Sequence, residues 1–121
     1  MSNVTTTHGA GHNEVLYEIE DGNIALITLN APERMNTISG PMLGELTRLL
    51  VKANEDPAVR CVILTGIGRA FCAGLDLRQE RDGGGISSAA SPTNLDLRNT
   101  PPTVMFDMDK PTICAVNGGA A

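Results

Sequence analysis

The chain has no tryptophan, and aromatic residues make up only 2% of its 121 residues. Single-stranded nucleic acid is commonly bound by stacking bases on aromatic side chains, so a binding site of this kind is excluded. Basic residues are also few, since nine lysines and arginines stand against 14 acidic residues and give a net charge of −5. The sequence offers no broad positive surface, and we expect neither nucleic-acid nor membrane binding.

Cysteine and histidine are too few for a disulfide framework or a structural zinc site. Cys61, Cys72 and Cys114 are an odd number without C-x-x-C spacing, and the only histidines, His8 and His12, lie close to the N-terminus. No apolar run is long enough to span a membrane, and the first residues lack the basic and apolar regions of a secretory signal. We therefore expect a cytoplasmic location.

What the sequence does contain is the pattern of a single α/β domain. Residues 1–13 show no periodicity and predict a disordered leader. Two apolar runs within residues 15–29, separated by turn-forming residues, predict a β-hairpin. The next segment, residues 30–36, cannot continue the strand because Pro32 lacks a backbone donor, so it is predicted to be an ordered loop.

A helix and two further strands are predicted after this loop. Ser39 as N-cap, Pro41 in the first turn and apolar residues at helical spacing predict an amphipathic helix that ends near Asn54. The nearly continuous apolar run over 59–64 predicts a strand buried on both faces, as in a β-α-β crossover. The same reasoning predicts a second buried strand over 112–116.

The region between these two strands has a different composition. Residues 78–99 contain three consecutive glycines and many polar residues, and we expect most of this segment to be mobile. Pro101 and Pro102 then open a predicted short helix that reaches Met108. A buried strand followed by a glycine-rich turn normally leads into another element, so the sequence after residue 116 predicts the N-terminal part of a longer domain.

The most informative local pattern for function is the bend at Gly74, which is followed by Leu75 and Asp76. Glycine allows a sharp bend, the small Ala73 lets a ligand approach, and such a bend can aim successive backbone N–H groups into a cleft. Donors arranged in this way stabilise an oxyanion. The same pattern also fits a purely structural turn, and both interpretations stay open at this point.

Three other patterns favour structural interpretations. The run over 66–71 has Phe71 where a dinucleotide-binding fingerprint requires glycine. Cys72 has no histidine nearby in the sequence to lower its pKa, so a packed, inert thiol is favoured over a nucleophile. Arg34 is the best candidate among the arginines for a phosphate contact because its loop is ordered, although a solvated arginine is the usual case.

Three segments, taken in order, resemble the successive signatures of the N-terminal half of the crotonase superfamily, the enoyl-CoA hydratases and isomerases. These segments are Asn30-Ala31-Pro32-Glu33-Arg34-Met35-Asn36, Arg69-Ala70-Phe71-Cys72-Ala73-Gly74-Leu75-Asp76-Leu77 and Lys110-Pro111-Thr112-Ile113-Cys114-Ala115-Val116-Asn117-Gly118. The resemblance covers residues 14–121. It implies an α/β fold, a crotonase-like spiral of ββα units, of which these residues form the incomplete N-terminal part.

The resemblance also implies a catalytic role for the backbone at Leu75. In this family, two backbone N–H groups hold the thioester carbonyl of an acyl-CoA, and the first of them belongs to the residue between Gly and Asp of the A-G-x-D motif, which here is Leu75. Asp76 is then an orienting or capping residue, not a base. The substrate-binding residues that the resemblance implies are Glu33, Arg34, Met35, Asn36, Ala73, Gly74, Asp76 and Leu77.

The implied activity is that of a lyase that hydrates a 2-enoyl-CoA in fatty acid or related acyl-CoA catabolism, with isomerisation, hydrolysis and dehalogenation as alternatives. Coenzyme A is part of the substrate, so no separate cofactor and no metal is expected, and the full-length parent is expected to be a homotrimer or homohexamer. In hydratases the second oxyanion donor and both acid/base glutamates follow the Asn-Gly turn, past residue 121. The isolated chain is therefore expected to be inactive, and a non-catalytic acyl-CoA-binding or assembly module is the competing hypothesis.

Overall fold

A computed structural model of the protein describes residues 3–5, 13–75 and 100–121. Its strands are β1 (Asn3–Thr5), β2 (Val15–Glu20), β3 (Ile24–Leu29), β4 (Cys61–Gly66), β5 (Ala70–Cys72), β6 (Thr112–Ala115) and β7 (Gly119–Ala120). The helices are a 3-10 turn (Pro32–Arg34), α1 (Gly40–Glu55) and α2 (Pro101–Asp107). A five-stranded sheet has the order β1-β2-β3-β4-β6, and β5 pairs with β7 in a second, two-stranded sheet.

The predicted hairpin is confirmed as the antiparallel pair β2 and β3, in which Val15 lies opposite Leu29. The turn between the strands uses left-handed backbone at Asp21 (φ 52°) and Gly22 (φ 79°). This geometry matches the twist of a hairpin, and both residue types tolerate it. The hairpin fixes where β3 ends and therefore where the loop over residues 30–36 begins.

The predicted helix and β-α-β crossover are also confirmed. Ser39 caps α1 by accepting a hydrogen bond from the Met42 backbone N–H at 3.1 Å. After α1, the chain returns as β4, which lies parallel to β3. The buried side chains of α1 pack on the sheet and form the core together with residues from β2, β3 and β4. The largest fully buried side chains of this core are Val15, Tyr17, Ile27, Met42, Leu49, Leu50, Val59 and Val62.

The predicted burial of β4 on both faces is wrong. The strand starts at Cys61, two residues later than predicted, and only alternate residues such as Val62 and Leu64 are buried in the core. Cys61 and Ile63 point to the other face and are partly exposed. A continuous apolar run does not by itself distinguish a strand covered on one face from one covered on both.

The second predicted buried strand exists as β6, but it is exposed. Ile113 has 53% of its surface exposed, and Cys114 and Ala115 are exposed as well. Among the described strands, β6 lies last in the sheet and pairs with β4. The prediction of burial is wrong for this strand, because apolar composition alone does not show whether another element covers the faces of a strand.

Two other predictions concern the short helix after residue 100 and the leader over residues 1–13. The short helix after residue 100 is confirmed as α2. Within the predicted leader, Asn3–Thr5 form β1 and pair antiparallel with β2. The mobile segment predicted over residues 78–99 lies outside the described residues. No helix among those that the structure describes is long and apolar enough to cross a membrane.

Lys110 fixes the start of β6 relative to the end of α1. Its Nζ atom donates to the backbone oxygen of Ala53 at 2.8 Å and also to that of Asp56. The last carbonyl groups of a helix lack partners inside the helix and carry a partial negative charge, so an ammonium group is favourable there. Lys110 thereby connects the third signature segment to the helix that follows the first.

Tyr17 carries a buried hydroxyl group without a hydrogen-bond partner among the described residues. The side chain is 1% exposed, and the Lys52 Nζ atom lies 4.7 Å from the centre of its ring. Burial raises the pKa of the Tyr17 phenol above its ordinary value of 10.0, and the negative charge of Asp56 raises it further. The folded protein therefore disfavours the ionised phenolate.

We expect Tyr17→Phe to increase the free energy of unfolding by about 1 to 3 kcal/mol, because the change removes an unpaired buried hydroxyl. Above about pH 10 the unfolded chain loses the Tyr17 proton while the folded chain keeps it, so this group makes wild-type stability fall with rising pH. The Phe variant lacks this contribution. Urea unfolding of both proteins between about pH 8 and about pH 11 measures both effects. A variant that is less stable than wild type, with the same slope against pH, would contradict the prediction.

Candidate active site

The candidate site lies at the carboxyl ends of the parallel strands β3, β4 and β6. Residues 30–36 follow β3, a tight turn over residues 67–69 follows β4, and Asn117 closely follows β6. The carboxyl ends of parallel strands meet at one edge, which is where α/β proteins commonly bind ligands. The three signature segments of the sequence are brought together here by the strand order.

Asn36 connects the first segment to the turn after β4. It is fully buried and has left-handed backbone (φ 56°), which asparagine tolerates better than most residues. Its Oδ1 atom accepts from the Ala31 backbone N–H at 2.7 Å. Its Nδ2 atom donates to the backbone oxygens of Ile67 at 3.0 Å and Ala70 at 2.9 Å. Every polar atom of this side chain is therefore used within the protein.

Asn117 holds the same turn from the opposite direction. Its Oδ1 atom accepts from the Gly66 backbone N–H at 3.2 Å. Its Nδ2 atom donates to the backbone oxygens of Gly68 at 3.0 Å and Ala70 at 3.3 Å. The sequence predicts no separate role for Asn117, although this residue stands in the third signature segment, directly after an apolar strand.

Glycines allow these segments to approach each other closely. A Cβ atom at Gly66 would lie 2.6 Å from the Phe71 backbone oxygen and 2.8 Å from the Asn36 Nδ2 atom. A Cβ atom at Gly118 would overlap the backbone oxygen of Arg69. Both positions therefore require glycine for space, and the turn after β4 packs directly against the segment that follows β6.

The Leu75 N–H group is the candidate oxyanion donor, and its direction follows from the neighbouring hydrogen bonds. The Gly74 backbone oxygen accepts from the Ile38 N–H at 2.7 Å. Gly74 and Leu75 share one trans peptide unit, in which C=O and N–H point in opposite directions. The Leu75 N–H consequently points away from Ile38, and Leu75 is 44% exposed. The bend itself uses positive φ at Gly74 (114°), which glycine adopts without strain.

Further backbone hydrogen bonds fix the segment that leads to Leu75. The Ala73 N–H donates to the Met35 backbone oxygen at 3.1 Å, which ties the second signature segment to the first. On the other side, the Ala121 N–H donates to the Cys72 backbone oxygen at 2.9 Å. The third segment therefore runs beside the second, and it brings Ala121 next to the bend at Gly74.

Arg34 is held by internal contacts. Its guanidinium lies 2.7 Å from the Glu14 carboxylate and donates to the Thr37 backbone oxygen at 3.0 Å. Only 13% of the side chain is exposed. Ser39 completes this cluster, since its hydroxyl donates to Glu14 at 2.8 Å. These contacts fix the loop against the start of α1, and a phosphate contact by Arg34 stays a prediction.

The other predicted substrate-binding residues differ in accessibility. The Glu33 side chain is 71% exposed, Met35 is 39% exposed, and Ala73 is exposed. Asn36, in contrast, is fully buried, so its side chain acts inside the protein. Asp76 and Leu77 lie outside the described residues. Substrate contacts at all of these positions stay predictions.

The two alternatives to an oxyanion site are less well supported by this geometry. Cys72 is 6% exposed, and its Sγ atom lies 3.9 Å from the Gly74 backbone oxygen, so the thiol is packed in the core. After β4 the chain turns into the short strand β5. A dinucleotide-binding fingerprint would instead open a helix at this place.

An apolar cavity with a volume of about 230 Å³ is lined by residues of β3, α1, β4, β5 and α2. Ile38 and Cys72, which line it, are also the neighbours that position Gly74. The described residues that line the cavity are all apolar: Leu29, Ile38, Leu43, Leu46, Leu64, Phe71, Cys72, Pro101, Pro102 and Met105. A cavity of this composition suits a hydrocarbon group better than a charged one.

The comparisons with known proteins place this α/β fold in the crotonase superfamily. Residues 19–121 match the enoyl-CoA hydratase/isomerase family, and the chain belongs to that family. The predicted crotonase-like fold is confirmed by a solved enoyl-CoA hydratase/isomerase from Legionella pneumophila, with a TM-score of 0.75 and 30% identity over 88% of this chain.

Curated relatives extend the comparison at the level of sequence. A probable enoyl-CoA hydratase of Mycobacterium tuberculosis is 40% identical over 92% of the chain. The 1,2-epoxyphenylacetyl-CoA isomerase of Escherichia coli is 37% identical over 88% of it. The chain spans 42% and 41% of the lengths of these two relatives and 40% of the Legionella structure. The match therefore concerns about two fifths of a typical relative.

Proposed function

We propose that this chain forms the part of an acyl-CoA enzyme that binds the thioester and supplies one donor of its oxyanion hole, through the Leu75 N–H. The observation that carries the proposal is the Gly74–Leu75 peptide unit. Its C=O is bound by Ile38, and its N–H is directed away from that bond at an exposed position. A thioester carbonyl that reaches this exposed N–H could accept its hydrogen bond.

The chemical reason for such a donor is the charge that develops during reaction. Hydration of a 2-enoyl-CoA adds hydroxide at the β-carbon and a proton at the α-carbon, and an enolate-like oxygen carries negative charge between these events. A fixed N–H aimed at that oxygen stabilises the transition state more than the ground state. Mutational data on other oxyanion holes give about 3 kcal/mol for one donor.

The comparisons support the general part of this proposal, which is that the chain belongs to an enzyme acting on CoA thioesters. The matched family is that of enoyl-CoA hydratases and isomerases, and a 3-hydroxyisobutyryl-CoA hydrolase of Arabidopsis thaliana is 44% identical over 68 residues. All of these names refer to a CoA thioester, although the reactions differ. Hydration of a 2-enoyl-CoA in fatty acid or related catabolism, a cytoplasmic location and a homo-oligomeric parent are the finer parts of the proposal.

The role of Leu75 predicts that the 121-residue chain distinguishes a thioester from a carbonyl-free analogue. We expect crotonyl-CoA to bind about 3- to 10-fold more tightly than the thioether in which CH₂ replaces the thioester carbonyl, because one hydrogen bond contributes about 0.5 to 1.5 kcal/mol. Isothermal titration calorimetry with both ligands measures this ratio. The thioether is the matched control, since it keeps the CoA portion and the four-carbon chain.

Three outcomes of this titration are informative. Selective binding of the thioester supports the proposal. Equal binding of both ligands contradicts the role of Leu75 and leaves the competing hypothesis, a non-catalytic acyl-CoA-binding module. Failure to bind either ligand contradicts acyl-CoA binding by this chain and favours the assembly module of the competing hypothesis.

A further inference from the structure

The turn between β4 and β5 is held by two asparagine side chains that come from distant parts of the chain. The Ala70 backbone oxygen accepts from both Asn36 Nδ2, at 2.9 Å, and Asn117 Nδ2, at 3.3 Å. Three further bonds of the two amides go to the backbone of Gly66, Ile67 and Gly68. Five hydrogen bonds from two side chains therefore fix one turn of five residues, from 66 to 70.

Burial contributes little to the conformation of this turn, since Ile67, Gly68 and Arg69 are exposed. Besides the two amides, one backbone hydrogen bond from the Ile67 N–H to the Leu29 oxygen, at 3.0 Å, and the close approach of Gly118 to Arg69 hold it. Buried carbonyl groups without partners are costly, and the amides satisfy the oxygens of Ile67, Gly68 and Ala70. The two asparagines thus hold the turn together with these backbone contacts.

The turn leads into the segment that carries the candidate donor, which the hydrogen bonds of Ala73 and Gly74 also hold. From Ala70 the chain runs through the three-residue strand β5 to the bend at Gly74 and then to Leu75. A short rigid strand transmits a displacement at its start to its end. Geometry at an oxyanion hole matters on a fine scale, since a misplacement of about 1 Å can cost about 100-fold in rate.

We propose that Asn36 and Asn117 are positioning residues for the Leu75 N–H, acting through the Ala70 carbonyl that they share. The inference rests on the proposed function of Leu75. It assigns the two asparagines no contact with the ligand, which agrees with the complete burial of Asn36.

The test replaces each asparagine by aspartate in the 121-residue chain. Asn36→Asp keeps the acceptor for the Ala31 N–H and tolerates the left-handed backbone, but it places a carboxylate oxygen where Nδ2 donated. Asn117→Asp makes the same exchange at an exposed position, where the variant is more easily accommodated. Asn30→Asp is the matched control, because Asn30 lies in the same loop and, among the residues that the structure describes, its Nδ2 donates to the Asn13 backbone oxygen and not to the turn.

The first readout is hydrogen–deuterium exchange measured by mass spectrometry. We expect exchange in the peptide covering residues 67–75 to rise about 10-fold in either aspartate variant, with α1 and the control variant unchanged. Because both amides bind one carbonyl, the double variant should show less than the product of the two single effects. Unchanged exchange in both single variants would overturn the proposal, and so would global loss of protection in both, since the proposed role is local.

The second readout separates positioning from general stability. In the aspartate variants the preference for crotonyl-CoA over its thioether is expected to fall towards 1, while the affinity for the thioether stays within about twofold. Equal loss of affinity for both ligands would overturn the positioning role. If the wild-type chain itself shows no preference, the proposed function of Leu75 fails and the positioning role fails with it, whereas an unaltered preference in both variants refutes only the role of the asparagines.

Discussion

Purified as the 121-residue chain, the protein is expected to hydrate crotonyl-CoA about 10⁴- to 10⁷-fold more slowly than complete hydratases of its family. Loss of one oxyanion donor costs about 10²- to 10³-fold, and loss of the acid and base groups costs about another 10²- to 10⁴-fold. The described residues supply one candidate donor, at Leu75. The resemblance places the second donor and both glutamates after the Asn117-Gly118 turn, past residue 121.

The loss of crotonyl-CoA absorbance over time measures this activity. A complete hydratase of the family, assayed in parallel, provides the reference rate. Turnover that scales with the concentration of the 121-residue chain, and that survives repeated purification, would show that this chain carries acid/base groups of its own.

The second large effect concerns Leu75 in a protein that continues this chain through the second donor and the glutamates. There we expect Leu75→Pro to lower kcat by about 10²- to 10³-fold, because proline has no N–H to donate. Leu75→Ala is the matched control, since it keeps the donor and shortens only a side chain that is 44% exposed. Its kcat is expected to stay within a few-fold of wild type.

Proline also restricts the residue before it, so the fold of the variant has to be checked. Circular dichroism and the affinity for CoA serve this purpose, because neither depends on the oxyanion. A folded, CoA-binding Leu75→Pro enzyme with a kcat near that of wild type would refute the assignment of Leu75. Equal loss of kcat in the proline and alanine variants would show that the side chain matters, and not the N–H.

The sequence predicted those parts of the fold that depend on local patterns. Alternation and turn residues predicted the hairpin, and Ser39 with the helical spacing after it predicted α1. The exposure of β6 was not predictable, because apolar composition does not reveal whether another element covers the faces of a strand. Burial depends on the neighbours of a strand, and these are set by the whole topology.

In the candidate site, too, local features can be predicted from the sequence, whereas contacts between distant segments cannot. The bend at Gly74 was visible in the sequence because glycine, alanine and an acidic residue stand together there. The sequence does not show that Asn36 and Asn117 both donate to the Ala70 oxygen, since these hydrogen bonds depend on where β4 and β6 end in space. The ion pair of Arg34 with Glu14 was likewise hidden, because the two residues belong to different predicted elements.

The contacts at Ala70 also bear on the order in which the chain folds. Asn36 and Asn117 reach that carbonyl across 34 and 47 residues of sequence, whereas the turn of the hairpin closes between Glu20 and Asn23. Joining distant segments costs chain entropy before any contact compensates for it, and long closures are slow. The hairpin is thus expected to form early and the candidate site late, so a partly folded chain would already have its first strands while the candidate donor at Leu75 is not yet in place.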